Sequence, residues 1–492
     1  MSTEFDAVVV GSGPNGLAAA VILARAGLAV TVLEAQPTYG GGARTVDLGL
    51  ASGVVHDLCS AVHPMGVSSP FMVDFDLAAR GVELLEPEVQ YAQPLDNGRA
   101  GLAYRDVERT ARELGPDAAA WMSLMGPLAK RPDAVIGAAL SDKRSLPPQM
   151  LKNLYGIARF GLAVAEQGTQ LWNLRFKDDV APALLSGVAA HAINTLPSMG
   201  GGGTAIMLGA LAHSHGWPIP RGGTGTITEA LVADLEAHGG QVWTDHPVRS
   251  RADLPTAKAY LFDTTPASAM EILGQEIPGP LAQKLARFKY GNAAAKVDFV
   301  ISEPVPWTNP GVGKAGTVHI GGTRADLVRG ERQIAEGKFP DQPVVLLSDP
   351  SVVDEGRIHD GLRPLWTYAH VPAGSTTDPT EAITRQIERF APGFRDTIVA
   401  SHAVPAAEMA KDNANYIGGD IAAGAATLWQ MFARPTPTAN PYSLGSKGMY
   451  LCSSSTPPGP GVHGLSGKFA AQRVLKEVFD IRALPDLSPS GA

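Results

Sequence analysis

The stretch that decides the fold stands almost at the amino terminus: AVVVGSGPNGLAAAVILARAGLAVTVLEA, Ala7 to Ala35. Its first four residues are small and apolar, which predicts a buried β-strand. After a glycine-rich turn, Leu17 to Ala26 is rich in Ala, Leu and Ile and predicts a helix, with Gly27 as its carboxyl-terminal cap. Ala29 to Leu33 predicts a second strand. The stretch therefore predicts a complete βαβ unit.

The glycines of the turn have the GxGxxG spacing of a dinucleotide-binding loop. Gly11 permits a tight turn, Gly13 lets the backbone approach a diphosphate, and Gly16 lets the helix pack against the strand. The helix N-terminus adds N–H groups and a partial positive charge, which favour a diphosphate. Glu34 ends the second strand, where a carboxylate can accept hydrogen bonds from an adenosine ribose. We therefore predict a dinucleotide site on this unit.

Two further matches to GxGxxG lack this context. Gly311 to Gly316 leads into TVHI, which predicts a strand rather than a helix, so we interpret the match as coincidence. Gly459 to Gly464 does lie between a predicted strand, MYLCSS, and a predicted helix, Ser466 to Val478, but no full βαβ unit follows it. We therefore expect no second independent nucleotide fold.

Length and composition limit the class of protein. A chain of 492 residues predicts two or three domains, and 45% hydrophobic with 18% charged residues is typical of a globular protein. The net charge of −8 argues against a nucleic-acid partner, because phosphate binding needs a basic surface. Cys59 and Cys452 are the only cysteines, which excludes a disulfide framework and a CxxC redox pair. Because we find neither a signal peptide nor an apolar run that could span a bilayer, we expect a cytoplasmic protein.

A second glycine segment, YGGGARTVDL, begins at Tyr39. Its glycines allow close approach of the backbone, and Arg44 can neutralise the same diphosphate from the opposite side or stabilise a reduced flavin. The alternative is an ordinary glycine turn with a solvated arginine. The position of the segment shortly after Glu34 favours the functional interpretation, and with it FAD over a nicotinamide nucleotide.

With these motifs the chain resembles the FAD-dependent phytoene dehydrogenase-like and carotenoid isomerase-like oxidoreductases of the amine oxidase superfamily. The resemblance extends along nearly the whole chain. Besides the opening unit and GGGAR it rests on CSAVHP (59–64), IPRGGTGTITEALVADLEAHGGQV (219–242), AAKVDFVISEPVPW (294–307), LWTYAHVP (365–372), NYIGGDI (415–421) and YLCSSSTPPGPGVHGLSGKFAAQRVL (450–475). The chain is most similar to the branch whose animal members are labelled pyridine nucleotide-disulfide oxidoreductases, although it has no cysteine pair.

The resemblance implies an α/β fold, in which a Rossmann-type FAD-binding domain is joined to a discontinuous α+β substrate domain. The implied FAD-binding domain comprises 1–70, 219–290 and 425–480, the substrate domain 71–218 and 291–424, and a flexible tail 481–492. FAD is the implied cofactor. The predicted and implied FAD contacts are Gly11, Gly13, Pro14, Asn15, Gly16, Glu34, Ala35, Gly41, Gly42, Ala43, Arg44, Val248, Ser454, Gly461, Val462 and His463.

One segment departs from the superfamily's pattern. Many of its flavoproteins carry Gly-Asp in the last FAD segment, where the carboxylate binds the ribityl chain, whereas this chain has Ser453-Ser454. A hydroxyl can serve as both donor and acceptor. We therefore expect FAD to be retained and leave the tightness of its binding open.

Lys296 is the first catalytic candidate. Alternation in AKVDFVIS puts Lys296 and Asp298 on one face of a strand, and amine oxidases resembling this segment have a lysine linked through water to flavin N5. A surface lysine paired with Asp298 is the alternative. His63 and His463 are further catalytic candidates, because the family folds both segments toward the flavin and a histidine can move a proton near neutral pH. Structural histidines are the alternative.

We predict no metal, because His213 and His215 have no third ligand at a recognisable spacing.

Two segments in the middle of the chain, Asp106 to Glu166 and Met199 to His213, indicate how a substrate could reach the site. Asp106 to Glu166 predicts apolar helices, and family members that act on carotenoids use helices of this region to touch a membrane. The more apolar of these helices has only Lys152 and Arg159 as basic residues, fewer than a helix at a membrane surface needs, so we favour helix burial or a contact in a homo-oligomer, with peripheral membrane contact as the alternative. The glycine-rich segment Met199 to His213 predicts a passage for an apolar small-molecule substrate, with core packing as the alternative.

Together these features predict an FAD-dependent oxidoreductase that removes hydride equivalents from an apolar small molecule or isomerises it. A flavin amine or alcohol oxidase is the second hypothesis. A flavin-fold protein that only binds lipidated partners is the hypothesis from another class.

Overall fold

The opening stretch folds as the βαβ unit that its pattern predicts. In the computed structural model, which describes residues 4–144 and 153–489, β1 (Phe5–Val10), α1 (Pro14–Arg25) and β2 (Val30–Leu33) follow one another. Gly27 ends the helix with a φ of +82°, a conformation that glycine adopts without strain. All four residues of β2 are buried, as expected for an apolar strand covered on both faces of a parallel sheet.

The remaining elements complete a mixed α/β fold, and the predicted fold class is confirmed. The other strands are β3 (Thr45–Asp47), β4 (Val55–Asp57), β5 (Leu84–Leu85), β6 (Val89–Pro94), β7 (Ala100–Tyr104), β8 (Ile219–Pro220), β9 (Gln241–Trp243), β10 (Ala257–Phe262), β11 (Ala293–Ile301), β12 (Val318–Ile320), β13 (Val345–Ser348), β14 (Arg363–Val371), β15 (Ile398–Val404) and β16 (Met449–Leu451). The other helices are α2 (Pro64–Ser68), α3 (Pro70–Phe75), α4 (Val107–Glu113), α5 (Ala118–Ala129), α6 (Pro132–Ala139), α7 (Leu154–Gln167), α8 (Val180–Ala190), α9 (Met199–Ala212), α10 (Gly225–Ala237), α11 (Pro266–Leu273), α12 (Gly279–Leu285), α13 (Arg324–Ala335), α14 (Thr380–Glu388), α15 (Phe394–Thr397), α16 (Leu428–Ala433) and α17 (Leu465–Val478).

A five-stranded parallel sheet, in the order β16-β10-β1-β2-β9, surrounds the opening unit. Its strands come from 5–33, 241–262 and 449–451, and each of these ranges lies within one of the three segments that the resemblance assigns to the FAD-binding domain. Helix α1 packs between α10 and α17. Because open parallel sheets bind ligands at the carboxyl ends of their strands, the loops after β1 and β10 are the expected site.

The second large sheet is mixed and has seven strands, in the order β15-β11-β14-β13-β12-β6-β7. Its register places Lys296 opposite Tyr368, Tyr368 opposite Leu346, and Leu346 opposite His319. Residues directly opposite one another lie on the same face of a sheet. This face therefore carries a row of polar and aromatic side chains, whereas Phe299 and its neighbours on the other face join an apolar cluster with α14.

The helices predicted between Asp106 and Glu166 form as α4 to α7. Part of that predicted stretch, Ser145 to Lys152, lies outside the described residues. In the described part of the chain, every helix is too short or too polar to cross a bilayer.

Part of the segment 481–492, which we predicted to be a flexible tail, packs against the fold. Arg25 donates to the carbonyl oxygens of Asp486 and Ser488 at 2.8 and 2.9 Å, and Arg80 donates to that of Leu487 at 3.0 Å. The side chain of Leu487 is buried. The tail packs because these two guanidinium groups, both held by Asp234, offer it hydrogen-bond donors. Residues 490–492 lie outside the described residues.

Candidate active site

The turn after β1 forms a cradle with glycines at which a larger residue does not fit. A Cβ on Gly16 would lie 2.3 Å from the carbonyl oxygen of Gly11, and one on Gly41 would lie 2.9 Å from the Cα of Gly13. The buried Oδ1 of Asn15, in the first turn of α1, has no hydrogen-bond partner among the described residues. A glycine-lined helix N-terminus, whose free backbone N–H groups are donors, fits the diphosphate of a dinucleotide such as FAD, and the Asn15 amide would contact it through its Nδ2 donor rather than through Oδ1.

Glu34 stands at the end of β2, beside this cradle. Its carboxylate accepts hydrogen bonds from the backbone N–H groups of Ser12 at 3.0 Å and Gln36 at 2.9 Å. The N–H of His246 donates to the carbonyl oxygen of Glu34 at 2.7 Å, which holds the segment after β9 against this end of β2. Val248 follows in that segment and is half-buried. Glu34 is thus fixed in place for the predicted contact with a ribose.

Arg44 is buried, so the alternative of a solvated arginine is wrong. Its guanidinium donates to the carbonyl oxygen of Gly41 at 2.8 Å, to Thr38 Oγ1 at 3.2 Å and to the carbonyl oxygen of Asp412 at 2.5 Å. These bonds tie the second glycine segment to the loop at Asp412. A direct contact of Arg44 with the diphosphate stays a prediction.

The last predicted segment lines the same cavity with Ser453, Ser454, Gly461 and Val462. Next to it lies Arg434, which the sequence analysis missed because no motif surrounds it. The buried Arg434 donates to the carbonyl oxygens of Ser454 at 3.1 Å and Gly424 at 2.8 Å, and burial lowers its pKa to about 10. Where the superfamily's pattern has an acid, this chain has two serines beside a buried cation.

His463 uses both ring nitrogens within the fold. Its Nδ1 accepts from the N–H of Leu465 at 3.0 Å, so its Nε2 carries the proton and donates to the carbonyl oxygen of Gly459 at 3.0 Å. Burial lowers the pKa of His463 to about 4, which keeps the ring neutral. This geometry favours the structural alternative, because it leaves no nitrogen for proton transfer.

We expect His463→Ala to lower the free energy of unfolding by about 1–3 kcal/mol, because it leaves buried backbone groups at the start of α17 without partners. Urea unfolding followed by circular dichroism measures this. The control is His402→Ala, at an exposed position on β15, which should change stability little. A fully stable H463A variant would contradict the structural role.

His63 is the histidine candidate that lines the cavity. Its Nε2 lies 2.9 Å from Thr224 Oγ1, and that hydroxyl donates to the carbonyl oxygen of Ser60 at 2.7 Å. Nε2 must therefore be the donor to Thr224, which leaves Nδ1 as an acceptor. Burial lowers the pKa of His63 to about 4, so the neutral ring is the form present near pH 7.

Lys296 forms an ion pair with Asp298, as the alternative interpretation predicts, but the lysine is buried rather than on the surface. Its Nζ lies 6.0 Å from the centre of the Trp366 ring, and Asp298 also has His56 Nδ1 at 3.5 Å. Burial raises the pKa of Asp298, but the charges of Lys296 and His56 outweigh it and hold that pKa below its ordinary value. A role of Lys296 at flavin N5 stays a prediction.

One continuous cavity of about 460 Å³ joins the diphosphate cradle to an apolar chamber. It begins at Gly13 and ends against the seven-stranded sheet at Trp366 and Tyr368. Helix α9, which we predicted to line a substrate passage, contributes Gly200, Gly203, Thr204, Met207 and Leu208 to the wall. A dinucleotide held in the cradle and a small molecule in the chamber would therefore share one cavity.

A histidine pair closes one side of the chamber, and the sequence analysis did not find it. His191 lines the cavity, and its Nε2 lies 2.7 Å from Nε2 of the fully buried His319. Burial lowers the pKa of His191 to about 3 and that of His319 well below its ordinary value, so both rings are neutral and one donates to the other. In sequence these residues are 128 positions apart, which hides the pair.

Among the described residues, no three His, Cys, Asp or Glu side chains are grouped closely enough to hold a metal ion.

Comparisons with known proteins agree with this geometry. Residues 9–75 match the NAD(P)-binding Rossmann-like domain. The pyridine nucleotide-disulfide oxidoreductase domain-containing protein 2 of Rattus norvegicus is 24% identical over 97% of this chain and 94% of its own. A hydroxyneurosporene desaturase of Rhodobacter capsulatus is 56% identical over 9% of each chain. A putrescine oxidase variant has a similar structure, with a TM-score of 0.60 and 15% identity over 97% of this chain and 99% of its own. The chain therefore has a Rossmann-like dinucleotide domain within the fold of the amine oxidases, and several of the proteins that it resembles are named as oxidoreductases.

Proposed function

We propose that this protein is an FAD-dependent oxidoreductase that acts on a neutral, apolar small molecule. The observation that carries the proposal is the continuous cavity, which joins a diphosphate cradle to an apolar chamber. An enclosed apolar pocket with a few polar groups is the usual form of a small-molecule site. The short similarity to a hydroxyneurosporene desaturase supports a polyene or similar hydrocarbon as the substrate class.

The charges in the cavity wall favour a neutral substrate. Of the described residues that line it, Asp263 is the only carboxylate, and it lies in the diphosphate cradle. The charged groups elsewhere in the wall are the cations Lys143 and Arg434. A protonated amine in this chamber would lose its hydration without meeting a counterion, which is costly.

The chain's own residues would position and shield the reaction. Bound in the cavity, FAD would supply the hydride acceptor. Trp366 and Tyr368 would exclude water from the chamber and fix the plane of a flat substrate. The Nδ1 of His63 is an acceptor beside the cavity, since His63 lines the wall and its other nitrogen is bonded to Thr224; with a pKa of about 4 it would pass a proton on rather than hold it near pH 7.

An apolar surface surrounds the helices that form the wall. Helix α9 packs against α7 and α16, and these two helices each place some residues in the cavity wall and others in solvent. The exposed apolar side chains are Leu154, Tyr155, Leu162, Leu428, Trp429 and Phe432. We propose that an apolar substrate approaches the cavity across this surface, from a membrane or a carrier.

Amine oxidation is the second candidate, and one observation favours it. Lys296 is buried next to Trp366, in a strand that resembles the lysine-bearing strand of amine oxidases, and a putrescine oxidase shares the fold.

We expect the purified protein to bind FAD and to show the visible absorption bands of an oxidised flavin. Under anaerobic conditions, an apolar polyene such as phytoene should bleach these bands, whereas putrescine and cyclohexylamine should not. Bleaching by the amines alone would replace the proposal with amine oxidation. A folded protein that binds phytoene but no FAD would instead support the hypothesis of a protein that only binds lipidated partners. A protein that binds NAD⁺ in place of FAD would refute the flavin assignment.

A further inference from the structure

A carboxyl group stands inside the diphosphate cradle. Asp263 follows the last residue of β10, and its backbone is fixed because its N–H donates to the carbonyl oxygen of Val10 at 2.8 Å. Its own carbonyl oxygen accepts from Asn415 Nδ2 at 3.0 Å. Its Oδ2 accepts from the N–H of Gly16 at 2.9 Å, and a Cβ on Gly13 would lie only 2.5 Å from the same oxygen. The side chain thus occupies the N-terminus of α1, where a diphosphate would bind.

The surroundings of Asp263 hold negative or neutral groups rather than a cation. Glu34 faces it from the end of β2 and Cys452 from the end of β16. In the described ranges, no lysine, arginine or histidine forms an ion pair with Asp263. The N–H of Gly16 and the positive end of α1 are what favour a charge on this carboxyl. Burial raises the pKa of Asp263 well above its ordinary value, Glu34 raises it further, and the Gly16 bond only partly opposes them.

A diphosphate and this carboxylate would compete for the same helix N-terminus. Both are anions, and both bind best to the free N–H groups of the first turn. Two negative groups in one buried site do not stay ionised together, because each raises the pKa of the other. The backbone of Asp263 is held on both sides, so its carboxyl could leave the cradle only by side-chain rotation, which would give up its bond to Gly16. Neutralisation removes the repulsion without that movement and keeps the bond.

We propose that Asp263 is protonated whenever a dinucleotide diphosphate occupies the cradle, so that binding the cofactor takes up a proton. The inference rests on the proposed function, since it needs a dinucleotide ligand. A neutral carboxyl can donate its proton to a phosphate oxygen, whereas a carboxylate repels it. Asp263 therefore makes the affinity for cofactor depend on pH, with tight binding on the acid side.

The direction in which cofactor affinity changes with pH follows from the linkage between cofactor binding and proton binding. A bound diphosphate raises the pKa of Asp263 above its value in the free protein. Below the free-state pKa the carboxyl is already neutral, and the dissociation constant does not change with pH. Between the free-state and the bound-state pKa, each pH unit weakens binding by about tenfold.

The experiment compares the deflavinated wild type with Asp263→Asn, whose amide oxygen can still accept the Gly16 bond. FAD is titrated calorimetrically between about pH 5.5 and about pH 8.5, in two buffers of different ionisation enthalpy, which gives the number of protons taken up. We expect uptake approaching one proton for the wild type on the alkaline side and none for D263N. At about pH 8.5 D263N should bind FAD at least about tenfold more tightly than the wild type.

Asp349→Asn is the matched control, because Asp349 is also a buried acid with a pKa raised by burial but lies outside the cavity wall. It should keep the pH dependence of the wild type. Equal proton uptake by wild type and D263N, or weaker binding by D263N at every pH, would overturn the inference while leaving the flavin assignment intact. If neither protein binds FAD at any pH although circular dichroism shows both folded, the proposed function itself fails.

Discussion

Gly467→Ala is expected to lower the free energy of unfolding by about 3 kcal/mol, as overpacking does where backbone must move. Helix α17 packs directly on the first turn of α1 through this glycine. A Cβ on Gly467 would lie 1.9 Å from the carbonyl oxygen of Asn15 and 3.0 Å from the backbone nitrogen of Ala19. Neither atom belongs to a flexible side chain, so the two helices must separate. Urea unfolding measures the loss.

The same change should also weaken cofactor binding, because Asn15 belongs to the diphosphate cradle. We expect G467A to lose FAD affinity at a temperature where it is still folded, as measured by calorimetric titration. Gly161→Ala is the matched control, since Gly161 lies in α7 and a Cβ there meets nothing within 4 Å. Because alanine is the better helix former, G161A should be as stable as the wild type or more stable, by up to about 1 kcal/mol. A G467A variant that matches G161A in both measurements would show that the close contact does not exist.

The parts of the fold that the sequence predicts are those encoded in neighbouring residues. The βαβ unit was predictable because strand, turn and helix signals follow one another between Ala7 and Leu33. The helix at α17 was predictable for the same reason. By contrast, the contact between Gly467 and Asn15 joins the two ends of the chain and leaves no local pattern.

The candidate site shows the same division. Glu34 was predictable from its distance to the glycines. Asp263 was not predicted, but the sequence holds a signal for it, because it follows a predicted strand at the carboxyl edge of a parallel sheet. The pair of His191 and His319 was not predictable, since it depends on a helix packing over a strand far along the chain. Whether Lys296 was buried could not be decided, because alternation in β11 gives the face of a strand but not what covers that face.

The burial of Lys296 determines how Lys296→Met should change the free energy of unfolding. The substitution removes the ammonium and leaves the carboxylate of Asp298 buried, with only His56 beside it at 3.5 Å. Breaking one side of a buried ion pair typically costs about 3–5 kcal/mol, and we expect a loss of that size in the free energy of unfolding near neutral pH. The double variant with Asp298→Asn should recover most of it, because no unpaired charge is left. Lys338→Met, which breaks an exposed pair with Glu336, should leave stability nearly unchanged.

The loss in the free energy of unfolding of Lys296→Met should also depend on pH, and the direction of that dependence identifies its cause. In the wild type the pKa of Asp298 is held low, so the pair stabilises the fold above the unfolded-state pKa and stops doing so only as the pH falls through the folded-state value. Without Lys296, burial raises the pKa of Asp298 above its unfolded value, and the penalty is relieved when acid protonates the carboxyl. The gap in stability between wild type and K296M should therefore narrow from about pH 8 to about pH 5. A gap that stays constant over this range would mean that lost packing, and not the unpaired carboxylate, destabilises the variant.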